Sequence, residues 1–434
     1  MDTILINSSH NNMNHLIMDS QMKRVTEMLP LGICYLATKL ESEGFEVQVL
    51  DMAVLEEIEI KAALEALVKT PPKCVGISTS TLSYVAGMEV AAFLKDRLGM
   101  DFPVFMGGYH VTFEYTEALK SNLVDVVIRG EGEEVIGRVV DCLGNHKPKS
   151  LLCNIPGISF LLDGEMHSTK PDILRVNDLD KIPIPKRSYL RTNLYRNTGT
   201  IISSRGCVAK CQFCAAGAFG AIRTRSAENV AYEIQNLYDQ GTKNIYFVDN
   251  TFASNRNRAI RIFRILEEKG ININCFIEAR VTEIDEEYLD LLKEFGVTSI
   301  QFGVETGNEQ VMESIHKNIT LERVEKTVQM CCKKGIGVAC SFVIGHPADT
   351  EDTVRDTIAF ATKLKRMGAE PAFSIMTPYP GTEAYRRRKE LGVEIQDWNF
   401  AHWDLNRAVA RTKHLSVRKI NKLHSEALLT LNAI

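Results

Sequence analysis

Three cysteines, Cys207, Cys211 and Cys214, fall within eight residues of a glycine-led segment, Ser204-Arg205-Gly206-Cys207-Val208-Ala209-Lys210-Cys211-Gln212-Phe213-Cys214. Clustered thiolates suit zinc or iron-sulfur centres. A structural zinc normally takes four protein ligands, and no fourth cysteine or histidine follows here at a usual spacing. Three thiolates on one short loop fit a cluster that keeps one metal open. The remaining eight cysteines, Cys34, Cys74, Cys142, Cys153, Cys275, Cys331, Cys332 and Cys340, show no second cluster spacing. They read as mostly buried free thiols.

The elements that must position this loop follow from periodicity. A chain of 434 residues with 45 % hydrophobic and 24 % charged side chains is long enough for two or three cored domains. Its formal charge of -4 gives no footprint of a nucleic-acid binder. The opening Met1 to Asn7 lacks a signal-peptide pattern and no apolar run reaches membrane-spanning length, so a cytoplasmic enzyme with no membrane span is expected.

From residue 1 to about 145, apolar strands alternate with helical periodicity. Strands are expected at Thr3 to Asn7, Val47 to Leu50, Cys74 to Ser78, Val104 to Met106 and Val124 to Ile128, and helices at Leu31 to Glu43, Tyr84 to Arg97 and Glu133 to Leu143. That is a doubly wound parallel sheet with binding positions at its carboxyl rim. The rim carries Ser78 to Leu82, Gly107 to Thr112 and Arg129 to Glu133. Glycines there admit a large ligand and the hydroxyls and amides can hydrogen-bond it, although each segment alone also reads as turn chemistry.

Residues 146 to 197 read as a linker containing a hairpin about Asp163-Gly164. From 198 to 385 a second alternation yields six strands, a partial (β/α)6 TIM-type barrel, followed by a helical tail over 386 to 434 that holds both tryptophans, Trp398 and Trp403. Barrel chemistry sits at the C-terminal strand ends. Those ends bear the cysteine loop, then Asp249, then Glu278 with Arg280, then Glu305, then Gly345 with His346. An ammonium group needs an acceptor such as Asp249, a ribose diol suits Glu278, and a carboxylate suits the fork of Arg280. Glu278 and Arg280 read equally well as a strand-end salt bridge.

The C-x3-C-x2-C spacing resembles the radical S-adenosylmethionine (SAM) superfamily. So do Gly303-Val304-Glu305-Thr306-Gly307, Phe342-Val343-Ile344-Gly345-His346-Pro347, Pro378-Tyr379-Pro380-Gly381-Thr382 and the aromatic Phe213 between the last two cysteines. The resemblance implies a four-iron four-sulfur cluster on Cys207, Cys211 and Cys214, with SAM on the fourth iron. It further implies SAM contacts at Phe213, Asp249, Glu278, Arg280 and Glu305. Asp249-Asn250 stands where other members have Gly-Gly-Glu, and Asp249 is taken as the amino-group acceptor.

The first domain is similar to cobalamin-binding domains, in which a Ser-x-Leu (Ser80, Leu82) and a Gly-Gly (Gly107, Gly108) line the slot for the nucleotide tail. His110, Thr112, Gly130 and Glu131 belong to the same rim. No Asp-x-His-x-x-Gly segment is present, and His10 and His110 read as rim residues, so the cobalt is expected to lack a protein histidine. Together the motifs imply a cobalamin-dependent radical SAM enzyme of methyltransferase type, acting on an unactivated carbon or phosphorus centre. Its partners would be a small-molecule or lipid substrate and an external electron donor such as flavodoxin or ferredoxin. The alternatives are a radical rearrangement, dehydration, cyclisation or ring contraction without methyl transfer, and a non-catalytic cobalamin or metal sensor.

Overall fold

The computed structural model describes residues 1–9 and 26–433, which divide into two compact units, Met1–Thr198 and Gly199–Ile434. His10 lies outside the described residues.

The first unit runs β1 (Thr3–Asn7), α1 (Leu31–Ser42), β2 (Val47–Asp51), α2 (Glu57–Ala66), β3 (Cys74–Ser78), α3 (Tyr84–Ala92), β4 (Val104–Gly107), β5 (Val126–Ile128), α4 (Ile136–Gly144), β6 (Ile158–Leu162) and β7 (Glu165–Ser168). The sheet order is β2-β1-β3-β4-β5-β6-β7. Its first five strands are parallel and the last two antiparallel. Continuous apolar strands such as Thr3–Asn7 and Cys74–Ser78 are stable only when both sheet faces are covered, which the intervening helices do.

Two expectations change. The helix expected over residues 84 to 97 is α-helical only to Ala92 and ends in a π turn, Phe93–Arg97. The segment 146 to 197, expected as a linker, is an integral part of the first unit. Its hairpin turns at Asp163 and Gly164, both at positive φ (53° and 83°), and adds two strands to the sheet. Ile158 and Phe160 are fully buried there and cover the edge that β5 would otherwise leave open. Farther along, Thr26–Met28 pairs with Tyr195–Asn197, and the Tyr195 hydroxyl donates to the Asp51 carboxylate.

The second unit runs β8 (Thr200–Ile201), α5 (Ala227–Asp239), β9 (Asn244–Phe247), α6 (Arg256–Glu268), β10 (Asn274–Ala279), α7 (Glu286–Glu294), β11 (Val297–Glu305), α8 (Glu309–Ser314), α9 (Leu321–Lys333), β12 (Gly337–Ile344), α10 (Glu351–Arg366), β13 (Glu370–Ile375) and α11 (Val417–Asn432). Its six strands lie in sequence order, all parallel. Alternate strand residues differ in burial. Ile277, Ile300, Phe302, Cys340 and Phe342 are fully buried against the helices, whereas Glu278, Gln301 and Ser341 on the opposite face are only partly covered. One face is therefore core and the other is a polar lining, with Gln301 Nε2 donating to Ser341 Oγ at 3.1 Å.

The tail expected after residue 385 also folds onto this unit. Ile420, Leu423, Ala427 and Leu431 of α11 join the core, and Trp403 is fully buried, with Nε1 donating to the Asp397 carbonyl at 3.0 Å. Trp398 remains half exposed. Among the described residues no helix is long and apolar enough to cross a membrane.

Candidate cofactor sites

The cysteine loop is pinched at its base. Ser204–Arg205 pairs antiparallel with Arg223–Thr224, and Gly206 (φ 83°) lies so close to the returning chain that a Cβ would stand 2.6 Å from the Ala221 carbonyl. A side chain is excluded there. Asn250 Nδ2 donates to the Gly206 carbonyl at 3.0 Å, and Cys207 N to the Gly220 carbonyl at 3.4 Å. Farther in, Gln212 is tied through its backbone at both poles: its N donates to Ile315 O at 3.1 Å and its carbonyl accepts from Ala384 N at 2.9 Å. These ties hold Cys207, Cys211 and Cys214 on a short arch, all three free thiols.

No three Cys, His, Asp or Glu side chains among the described residues converge on one ion position.

Beside Cys211 lies a buried ion pair. Lys317 Nζ meets Glu305 Oε1 at 2.7 Å, with both side chains 9 % exposed. Glu305 ends β11 at a register shift in its pairing with β12, and its φ of 74° is unusual for a residue with a side chain. Gly303 makes room for the pair, because a Cβ there would stand 2.3 Å from Glu305 Oε1 and 2.8 Å from Lys317 Nζ. Arg280 Nη2 donates to the Lys317 carbonyl at 2.6 Å, and Arg280 N donates to Glu283 Oε2 at 3.0 Å. Burial pushes the Cys211 thiol up, while Lys317 pulls it down, Glu305 opposes that pull and Arg280 assists it. Burial alone would lower the Lys317 pKa, but Glu305 and Cys211 outweigh it and the net direction is upward. Lys317 carries no motif and was not identified from the sequence.

Glu278 lies on the polar lining, and its carboxylate makes no hydrogen bond or ion pair among the described residues. Burial, then the charges of Asp249 and Glu305, raise its pKa from 4.5 to about 7, against the pull of Lys317. The strand-end salt bridge with Arg280 does not form. Asp249 has a different place from the one expected. It is fully buried, with Oδ1 accepting from Ser203 N at 2.6 Å and Ser204 N at 2.8 Å and Oδ2 from the Ser203 hydroxyl. These bonds clamp the chain entering the cysteine loop. Phe213 packs its ring 5.2 Å from that of His346.

On the first unit, the three rim segments are brought together. Thr79 N donates to Gly107 O at 2.9 Å, Thr112 Oγ1 donates to Gly108 O at 2.8 Å, and Gly130 N donates back to Thr112 Oγ1 at 2.9 Å. The glycines differ in kind. A Cβ on Gly108 (φ 100°) would strike the Thr79 carbonyl at 2.3 Å and one on Gly130 (φ 100°) the Leu174 carbonyl at 2.3 Å, so both are demanded by the fold. A Cβ on Gly107 would come no closer than 3.8 Å to the Ile128 carbonyl, so contact does not demand a glycine there. Ser80 is exposed and closes a turn with Ser83, with Ser80 N donating to Ser83 Oγ at 2.9 Å.

Three further rim residues are held by the chain itself. Leu82 is 5 % exposed. Glu131 accepts from Val176 N at 2.7 Å and fastens the chain around residue 176. His110 is buried, stacked on Tyr84 at 4.1 Å, with Nδ1 3.3 Å from Thr81 Oγ1.

The comparisons with known proteins divide the chain in the same way. Residues 22–140 match the B12 binding domain and residues 201–361 the radical SAM superfamily. An uncharacterised methyltransferase of Pyrococcus horikoshii is 32 % identical over 422 residues, covering 95 % of this chain and 90 % of the relative. The chain belongs to the cobalamin-binding radical SAM family. An anaerobic magnesium-protoporphyrin IX monomethyl ester cyclase of Rubrivivax gelatinosus is 24 % identical over 386 residues, 86 % of this chain and 68 % of that protein. In fold, the radical SAM methyltransferase TsrM of Kitasatospora setae superposes with a TM-score of 0.73 at 18 % identity, covering 99 % of this chain and 88 % of that one. The family's cofactors are a four-iron four-sulfur cluster, SAM and cobalamin.

Two consequences of the site's electrostatics can be measured on the cofactor-free protein. Lys317→Met strands the buried Glu305 carboxylate and is expected to cost about 3–5 kcal/mol in denaturant unfolding, most of which Glu305→Gln restores in the double variant. Glu278 has its folded pKa above its unfolded value, so its stabilising contribution is full below about pH 4.5 and is lost as the pH rises through 7. Glu278→Gln should therefore raise stability over wild type by roughly 2–3 kcal/mol near pH 8 and by almost nothing near pH 4.5. Unfolding curves at both pH values check this.

Proposed function

We propose that this protein is a methyltransferase that adds a methyl group to an unactivated carbon or phosphorus centre of a small molecule or lipid, working in the cytoplasm with flavodoxin or ferredoxin as electron donor. The observation that carries the proposal is the three-thiol arch beside Arg280 and the buried Lys317, in a chain that aligns almost end to end with a methyltransferase. Free thiols throughout suit a reducing compartment.

When bound, SAM on the reduced cluster supplies a 5'-deoxyadenosyl radical and cobalamin supplies the methyl group. The chain's own residues bind and orient. Cys207, Cys211 and Cys214 hold three irons and leave the fourth for SAM. Arg280 spends one guanidinium nitrogen on the Lys317 carbonyl and keeps other donors for the SAM carboxylate. The unpartnered Glu278 accepts from the ribose diol, and Phe213 adds an apolar wall. Glu305 acts through Lys317 as the fixed charge of this wall. On the first unit, Ser80 and Gly107 would receive the cobalamin tail, and the cobalt would lack a protein histidine.

Product stoichiometry tests this reading. Each methylation consumes one SAM as radical source and one as methyl source, so with the true substrate 5'-deoxyadenosine and S-adenosylhomocysteine should accumulate in comparable amounts by mass spectrometry. 5'-Deoxyadenosine without S-adenosylhomocysteine would replace methyl transfer by the rearrangement or cyclisation chemistry. Replacement of any one of the three cysteines by Ala should abolish both products, whereas Cys331→Ala, in the helical core, should leave both unchanged.

A further inference from the structure

The inner face of the second unit's sheet keeps hydrogen-bonding capacity that the chain does not use. Gln301 gives one amide N–H to Ser341 Oγ at 3.1 Å. Its carbonyl oxygen and second N–H have no partner among the described residues, and the Ser341 hydroxyl, already accepting, has its own proton left to donate. Both side chains are only partly covered. Their neighbours on the next strands are small: Ala339 is the register partner of Gln301 and is partly exposed, and Ala372 is the register partner of Ser341 and is exposed. Solvent reaches all four residues, so the unused donors and acceptor face open space.

The other flank is aromatic. Tyr246 and Phe276 are register partners on β9 and β10, both partly exposed, with ring centroids 5.9 Å apart. Phe276 lies two residues before Glu278 and shares its face, and Glu278 is the register partner of Gln301. Neighbouring strands stand about 4.8 Å apart. A group held by Gln301 therefore lies one strand from the carboxylate assigned to the SAM ribose.

An amide carbonyl, an amide N–H and a hydroxyl side by side match a group that both donates and accepts in one plane. An amide or lactam edge does so. Two aromatic rings beside it suit a flat ring carrying that edge. An alkyl chain laid here would leave the polar groups buried and unpaired, and a site built to hydrogen-bond its ligand rejects an analogue that lacks the bonding group.

We infer that the methyl-accepting substrate is a water-soluble aromatic or heteroaromatic compound with a planar amide or lactam edge, held by Gln301 and Ser341 beside Tyr246 and Phe276, and is not a lipid. This rests on the methyltransferase reading above and narrows its substrate class.

The test titrates three probes by saturation-transfer NMR into the full-length protein with its cluster reconstituted and SAM bound, without reductant. Benzamide represents the ring amide, hexanamide the amide without a ring, and octanol the lipid chain. Benzamide should bind saturably and more tightly than hexanamide, and octanol should not displace it. Gln301→Leu should weaken benzamide about tenfold, and Ser341→Ala by a smaller factor. The inference is overturned if benzamide shows no saturable binding, if hexanamide binds as tightly, if octanol displaces benzamide, or if a folded Gln301→Leu binds benzamide as wild type does. Should Gln301→Leu fail to fold, unchanged benzamide binding by Ser341→Ala overturns it equally. Failure of the methyltransferase reading shows separately, in the ratio of SAM products, and leaves these affinities as they are.

Discussion

A carboxylate and an ammonium buried 2.7 Å apart beside Cys211 set the terms for the second unit's site. Neither charge can be left alone away from water, so Glu305 and Lys317 must meet, and the backbone bends to let them. Glu305 takes a left-handed φ, β11 slips in register against β12, and Gly303 gives up a side chain. The Lys317 carbonyl then anchors Arg280, and Ile315, two residues earlier, anchors Gln212 in the middle of the cysteine arch. One buried pair thus couples two strand ends to the loop that carries the thiols. The unusual backbone lies at a functional edge and is supported from several sides, as strained positions generally are.

The first unit is governed by a different constraint, the close approach of backbones along its rim. Gly108 and Gly130 are glycines because Thr79 and Leu174 leave no room for a Cβ, and Thr112 stitches their two segments together. Gly107, by contrast, is not forced by contact, and Ser80 is exposed. A rim this firmly bonded to itself offers a preformed surface of amides and hydroxyls, which lowers the ordering cost of holding a large ligand.

Much of this was legible in the sequence, and the reasons differ by element. Strands such as Thr3–Asn7 and Cys74–Ser78 coincide with their expected bounds, because apolar runs bounded by polar residues record burial. The six-stranded barrel sheet was readable from alternation alone. Side-chain direction was not. Asp249, Glu131 and His110 sit where a ligand contact was expected, yet each satisfies the chain's own backbone or packing. A strand-end polar residue is equally useful for closing a turn. Lys317 was missed because its partner is twelve positions away across a helix, with no local spacing to mark it. The expected linker and tail became parts of the two units because isolated apolar pairs such as Ile158 with Phe160 do not announce which edge they will cover.

The central claim is that Cys207, Cys211 and Cys214 hold a four-iron cluster with one iron free for SAM. It is tested most directly by electron paramagnetic resonance of the reduced, reconstituted protein with and without SAM. The account predicts a four-iron four-sulfur signal whose g values change on adding SAM, because SAM binds the open iron itself. A signal unmoved by saturating SAM, or a protein that reconstitutes no such cluster, would contradict it.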